Sequence, residues 1–173
     1  MTDVRERPET VSLTLTLWLW VVAGEMLHQV FNIIGGLLNT GELRSVARET
    51  MSEEQLKMLS EQQLTIIAGA SVVFAGFIAM AVMGIVAWTA RSFWKGQKGA
   101  ENSRRFLTFF AAFFAMRGLF VFELATTGSV PLALALVDGI TQLLVAVLAV
   151  LAALFGGKKE SVEWARTTPS ESP

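Results

Sequence analysis

The sequence predicts an all-α, polytopic membrane protein: four transmembrane helices with a short amphipathic helical segment outside the membrane. Three observations predict it. Hydrophobic residues make up 53% of the 173 residues and charged residues only 17%, with a mean hydropathy of +0.51; ordinary soluble domains carry about a quarter charged residues. The apolar residues gather in four long runs, 11–38, 64–90, 106–124 and 130–155, each reaching or nearly reaching the roughly 20 residues that a helix needs to cross the hydrocarbon core. The runs lack the alternation of barrel strands about ten residues long, and helices and closed barrels are the structures that satisfy their backbone in lipid.

Composition also excludes function classes. The chain has no cysteine, which removes disulfides, thiolate metal sites and cysteine nucleophiles. A net charge of −1 argues against a nucleic-acid partner, which needs a concentrated basic surface. No P-loop, Rossmann glycine pattern, serine-nucleophile elbow or zinc motif occurs. The expectation is a protein that is not an enzyme and holds no cofactor.

Residues 1–10 read as a short tail. The first run, 11–38, is too long for the apolar core of a signal peptide and has no clean small-residue cleavage site, so it reads as a retained span. Its opening, Thr10–Trp20, alternates apolar and mostly hydroxyl residues. In water that period suggests a strand, but a lone strand cannot cross a bilayer. The helical reading lets each hydroxyl return a hydrogen bond to a carbonyl one turn earlier.

The loop 39–63 is rich in helix formers and lacks proline. Ser52 with Gln55, and Ser60 with Gln63, fit capping boxes, the second opening span two. Leu43, Val46 and Ala47 share one helical face, as do Leu56 and Leu59. The segment reads as an interfacial helical hairpin, or as a docking surface for an extracytoplasmic partner. Span two, 64–90, carries a small-residue row, Ser71, Ala75 and Ala79, with Gly69 and Gly76 nearby. Such rows let helix backbones approach closely; this one would face span one or another protein. Span three is ringed by Phe106, Phe109, Phe110, Phe113, Phe114, Phe120 and Phe122, which suits lipid or a large hydrophobic partner. Ser129 and Pro131 are placed to start span four, making spans three and four a tight hairpin. The tail 156–173 ends in TTPSESP, polar and proline-containing, a composition that predicts flexibility.

Charge sets the orientation. Arg5, Arg7, Arg91, Lys95, Lys98, Arg104, Arg105, Lys158, Lys159 and Arg166 fall on one side; Arg44, Arg48 and Lys57 fall on the other. Positive residues stay in the cytoplasm, so both termini and the basic loop 91–105 are expected there, in a multi-pass protein of the cell membrane. Trp88 and Trp94 sit near the inner end of span two, where aromatic rings favour the interface.

The spans hold polar side chains. Glu25, His28, Gln29 and Asn32 lie at i, i+3, i+4 and i+7, one face of the first helix. Span three adds Arg117 and, nearer its outer end, Glu123; span four adds Asp138 and Gln142. At about 1.5 Å per residue these groups form one layer. A charge at mid-bilayer costs several kcal/mol, so it turns inward and finds a partner. Arg117 paired with Asp138 across the tight hairpin is the first expectation, and with Glu25 the second. The layer either locks the bundle and grips a partner subunit, or lines a proton, ion or ligand path. Glu25-x-x-His28 matches half of a di-iron motif, but one histidine in the chain cannot build that ligand set from one copy. No metal site is expected.

The layout resembles a group of small four-span membrane proteins of actinobacteria. The resemblance rests on LWLWVVAGE (Leu17–Glu25), the charged loop Arg48–Glu54, the basic segment Lys95–Thr108 and the tryptophan-bearing end Glu160–Arg166. Some actinobacterial membrane proteins of this size are accessory subunits of the respiratory supercomplex. The resemblance therefore implies a non-enzymatic accessory or assembly subunit whose partners are other integral membrane subunits and lipid. The alternative from the polar layer is a small oligomeric transporter or channel subunit.

Overall fold

A computed structural model describes residues 6–121 and 132–167. Every regular element among them is an α-helix: α1 (Glu9–Leu38), α2 (Thr40–Thr50), α3 (Glu53–Lys57), α4 (Glu61–Lys95), α5 (Ala100–Leu119), α6 (Leu132–Gly156) and α7 (Lys159–Arg166). Glu123, Ser129, Pro131 and the proposed turn before span four lie outside the described residues, as do Arg5 and most of the final TTPSESP.

Three helices are long and apolar enough to cross a membrane: α1, α4 and α6. The chain is thus a helical protein with the build of a multi-pass membrane protein. The third expected span is not among them. Its helix, α5, opens with Glu101, Arg104 and Arg105 and carries Arg117 near its end, which dilutes its phenylalanines.

The alternating opening of the chain is helical, as lipid demands. Thr14 Oγ1 donates to the Thr10 carbonyl at 2.7 Å and Thr16 Oγ1 to the Ser12 carbonyl at 3.1 Å, the one-turn return that makes hydroxyls tolerable in a spanning helix. Both capping boxes form, Ser52 with Gln55 at α3 and Ser60 with Gln63 at α4. Each satisfies two backbone donors that a helix start otherwise leaves bare.

The basic segment 91–105 is mostly helical rather than a loop. The α4 helix runs on to Lys95, the chain turns through Gly96–Gly99, and α5 begins at Ala100. Gly96 ends α4 at φ +62°, a left-handed conformation that glycine adopts without steric cost. Glu101, in the first turn of α5, accepts from Arg104 Nε and Nη2 at 3.0 and 2.9 Å and from Arg105 Nε at 3.1 Å. The hydrogen bond from Arg104, joined by that from Arg105, pulls its pKa down to about 2 against the opposing effect of burial.

The C-terminal segment corrects an expectation. Residues 156–173 are not simply a tail, because α7 folds back onto the bundle. Trp164 is buried and donates from Nε1 to the Phe93 carbonyl at 3.1 Å. Ser161 Oγ donates to Thr10 Oγ1 at 2.9 Å. Arg7 donates to the Trp94 carbonyl at 3.1 Å and lies 3.6 Å above the Trp94 ring. The start of α1, the α4–α5 turn and α7 therefore share one end of the bundle, the basic end. Helix α2 packs on α4 at the other, the loop end.

The core fills the basic half. Trp18, Val21, Val86, Phe93, Leu107, Phe114, Val145 and Ala149 are buried together. Helix α1 packs against α6 and α4, and α5 against α6 and α4. Glycine permits the closest approaches. A Cβ on Gly24 would lie 2.6 Å from Val145 Cγ2, one on Gly118 2.6 Å from Ala146 Cβ, and one on Gly76 2.5 Å from Ile33 Cδ1. The row Ser71, Ala75 and Ala79 is not the α1 contact. Ser71 and Ala75 are exposed and Ala79 is half-buried, so the row looks away from the bundle.

Candidate functional site: a polar layer beneath a cavity

Gly24 and Gly118 place the polar layer. Each brings its helix close against α6 at the same level, and the next residue on α1 and the preceding one on α5 are charged. Arg117 Nη1 donates to Glu25 Oε1 at 2.7 Å, and Nη2 donates to Oε2. Gln29 Nε2 adds a third hydrogen bond to Glu25 Oε1, at 2.9 Å. Glu25 is 3% exposed, so this two-pronged pair compensates a carboxylate that water scarcely reaches. Arg117 also lies 5.2 Å from the Phe114 ring.

The first-choice pairing of Arg117 with Asp138 is therefore corrected: the partner is Glu25. Asp138 belongs to a second group, nearer the loop end. Its Oδ1 lies 2.6 Å from His28 Nδ1, and its Oδ2 accepts from Gln142 Nε2 at 2.8 Å. The single expected layer is thus two. Glu25, Gln29 and Arg117 form the lower one; His28, Asp138 and Gln142 form the upper. Asn32, one turn further along α1, makes no side-chain hydrogen bond to the described residues and is exposed.

Glu25 and His28 face different partners, so the Glu-x-x-His spacing does not converge on one point. Among the described residues no group of three or more histidine or carboxylate side chains is arranged to hold a metal ion.

Above the layers lies a cavity of about 480 Å³. His28, Asn32, Asn39, Glu42, Arg117, Asp138 and Gln142 line its polar part. Its apolar part is Phe31, Val72, Val121 and Leu134, with Leu43 and Val46 of α2 over it. Sequence reasoning found the polar residues of the spans but not the chamber. Gly35 and Gly36 also line it, but Gly36 is a close approach to α4, where a Cβ would lie 2.9 Å from Val72 Cγ1, so no local signal announced the chamber. The exposed Val46 and half-buried Leu43 show the apolar face of α2 turned toward this chamber.

On the basic side of Glu25 the packing is dense and apolar. A cleft of about 10 Å³ beside Trp18 and Phe93 has room for roughly one water. Arg117, paired with Glu25, lines the inner end of the chamber. The chain matches no known protein family, no curated protein and no solved structure.

Proposed function

We propose that this chain is a non-enzymatic accessory or assembly subunit of a larger complex in the cell membrane, spanning the bilayer four times with both termini in the cytoplasm. The observation that carries the reading is the exposed small-residue row on α4. That helix has the highest mean hydropathy of the three candidate spans, 2.4, and the least buried apolar window, 17%. Lipid tails offer no hydrophobic drive for helices to associate, so close backbone approach through small side chains supplies the contact. Ser71, Ala75 and Ala79 offer that approach to a second transmembrane helix. Phe74 and Ile78, also exposed, flank the row.

Support for a fourth crossing comes from the course of α5. It leaves the basic end at Ala100, and Val121 beyond it lines the same cavity as Leu134 of α6. At about 1.5 Å per residue its 20 residues cover about 30 Å. Support for the orientation comes from the basic end, where the described cations outnumber those of the loop end as the positive-inside rule requires. The resemblance to actinobacterial four-span proteins points to a respiratory supercomplex as the host.

A photocrosslinking residue at Ala75, activated in native membranes, should trap one defined membrane partner; the same residue at Lys57, on α3, should not. Mild-detergent purification should bring down that partner in fixed proportion. Recovery of the free protein alone from both experiments overturns the proposal. A second reading, a small oligomeric transporter or channel subunit, draws on the cavity. The dense core below Glu25 weighs against it. Flux in liposomes that is lost in Glu25→Gln and Asp138→Asn would establish it over the first.

A further inference from the structure

We propose that the cavity at the loop end is the binding site for one amphiphile with a neutral, hydroxyl-bearing head group. The inference rests on the membrane-spanning reading above and not on the identity of any partner subunit.

Size comes first. Protein interiors hold few voids larger than a water molecule, whereas ligand sites run from about 300 to 1,000 Å³. At about 480 Å³ the cavity is a site-sized space. Its lining is also divided in kind. Polar side chains lie at the two layers and, as Asn39 and Glu42, at the start of α2, while apolar ones such as Phe31 and Leu134 complete the wall. A molecule that fits has a polar head and an apolar body, and it reaches a chamber among membrane helices by dissolving in the lipid.

The charge balance decides what head. The positive charge of Arg117 is met by Glu25 in a two-pronged pair. Asp138 is held by His28 and Gln142. With the imidazole neutral, Asp138 and Glu42 on the wall oppose an anionic head group and the Arg117 guanidinium opposes a cationic one, so a neutral head avoids both penalties.

Hydrogen-bonding capacity, by contrast, is unspent. Arginine has five N–H donors, and the hydrogen bonds to Glu25 use Nη1 and Nη2 once each. Arg117 lines the cavity and its side chain is 21% exposed, so guanidinium donors remain for a ligand. The amide of Asn32 has no partner among the described residues. His28 commits Nδ1 to Asp138, and in the neutral ring that hydrogen bond makes Nε2 the acceptor. The cavity wall thus pairs donors, Arg117 and Asn32, with an acceptor, His28 Nε2. A hydroxyl uses both: its O–H donates to the imidazole and its oxygen accepts from the guanidinium or amide. An ether or a hydrocarbon cannot satisfy both.

The chain has one histidine, so nuclear magnetic resonance of imidazole-labelled protein in phosphatidylcholine nanodiscs reads this site without ambiguity. Three probes of equal chain length separate the chemistries: 1-decanol, decyl methyl ether and decanoate. Decanol should shift the Nε2 resonance saturably. The ether should leave it in place, and decanoate should bind at least tenfold more weakly. Asn32→Leu and Ala135→Phe, which remove a donor and fill the cavity, should each weaken decanol at least tenfold while the Nδ1 signal of the Asp138 hydrogen bond persists. No saturable shift with decanol, or equal shifts with all three probes, overturns the proposal. Tighter binding of decanoate overturns the neutral-head assignment and with it the charge argument. Failure to capture a partner subunit changes none of these readings.

Discussion

Removing Arg117 should expose how the interior of the bundle is held. Glu25 is 3% exposed, and Arg117 supplies two of its three side-chain hydrogen bonds, Gln29 the third. In Arg117→Leu the carboxylate keeps a single neutral amide. Breaking a buried pair from one side costs about 3–5 kcal/mol, less to the extent that the stranded acid takes up a proton. Glu25→Leu should cost less, about 1–3 kcal/mol, because the guanidinium lines the cavity and keeps access to water. The double variant Glu25→Leu with Arg117→Leu should recover much of the loss, a coupling of about 2–3 kcal/mol. Combining Arg117→Leu with Asp138→Leu should instead be close to additive. The assay is reversible unfolding in mixed micelles followed by tryptophan fluorescence. Stability of Arg117→Leu equal to the parent, or rescue by Asp138→Leu in place of Glu25→Leu, would refute the pairing and the two-layer account.

Three further tests probe the packing and the basic end. Gly76→Leu should separate α1 from α4 and cost about 1–3 kcal/mol, because its Cβ alone would meet Ile33 at 2.5 Å; Ala75→Leu, one residue along and exposed, should leave unfolding unchanged while reducing partner capture. Trp164→Ala should cost about 3–5 kcal/mol and free α7 from the Phe93 carbonyl, seen as rapid proteolysis after Lys158. The acid limb of stability should depend on Glu101: with its pKa lowered from 4.5 to about 2, its contribution of about 1–3 kcal/mol is complete above pH 4.5 and is lost as pH falls toward 2. Glu101→Gln should flatten that part of the profile, and an unchanged profile would discount the Arg104 contact.

What the sequence revealed, it revealed through local rules. Capping boxes at Ser52 and Ser60 depend on residues three apart, and both form. The threonine returns in α1 depend on residues four apart, and they form too. What stayed hidden depends on neighbours distant in the chain. Helix α7 is short and polar on average, and nothing within Lys159–Arg166 announces that Phe93, some seventy residues earlier, presents a carbonyl to Trp164. The small-residue row illustrates the same limit. Ser71, Ala75 and Ala79 share α4 with the nearby Gly69 and Gly76, and only the approach of Ile33 to Gly76 and of Leu37 to Gly69 shows which side α1 uses.

The misplaced partner of Arg117 has a geometric cause. Counting 1.5 Å per residue from each helix end treats the spans as upright and equally deep. The glycine contacts give the true register: Gly24 meets Val145 and Gly118 meets Ala146, so Glu25 and Arg117 stand at one level of α6. Asp138 lies seven residues nearer the loop end than Val145, about 10 Å at helical rise. That offset puts Asp138 beyond Arg117 and beside His28, one turn along α1 from Glu25. The short pair below can be closed tightly because two glycines draw α1 and α5 onto α6. The upper group, His28, Asp138 and Gln142, instead borders the chamber. The same residues that complete the lower lock, Arg117 above all, therefore present their remaining hydrogen-bonding capacity to the cavity. Structural pairing and ligand recognition are compatible uses of one layer, and a variant that breaks the Glu25–Arg117 pair should weaken decanol binding together with stability.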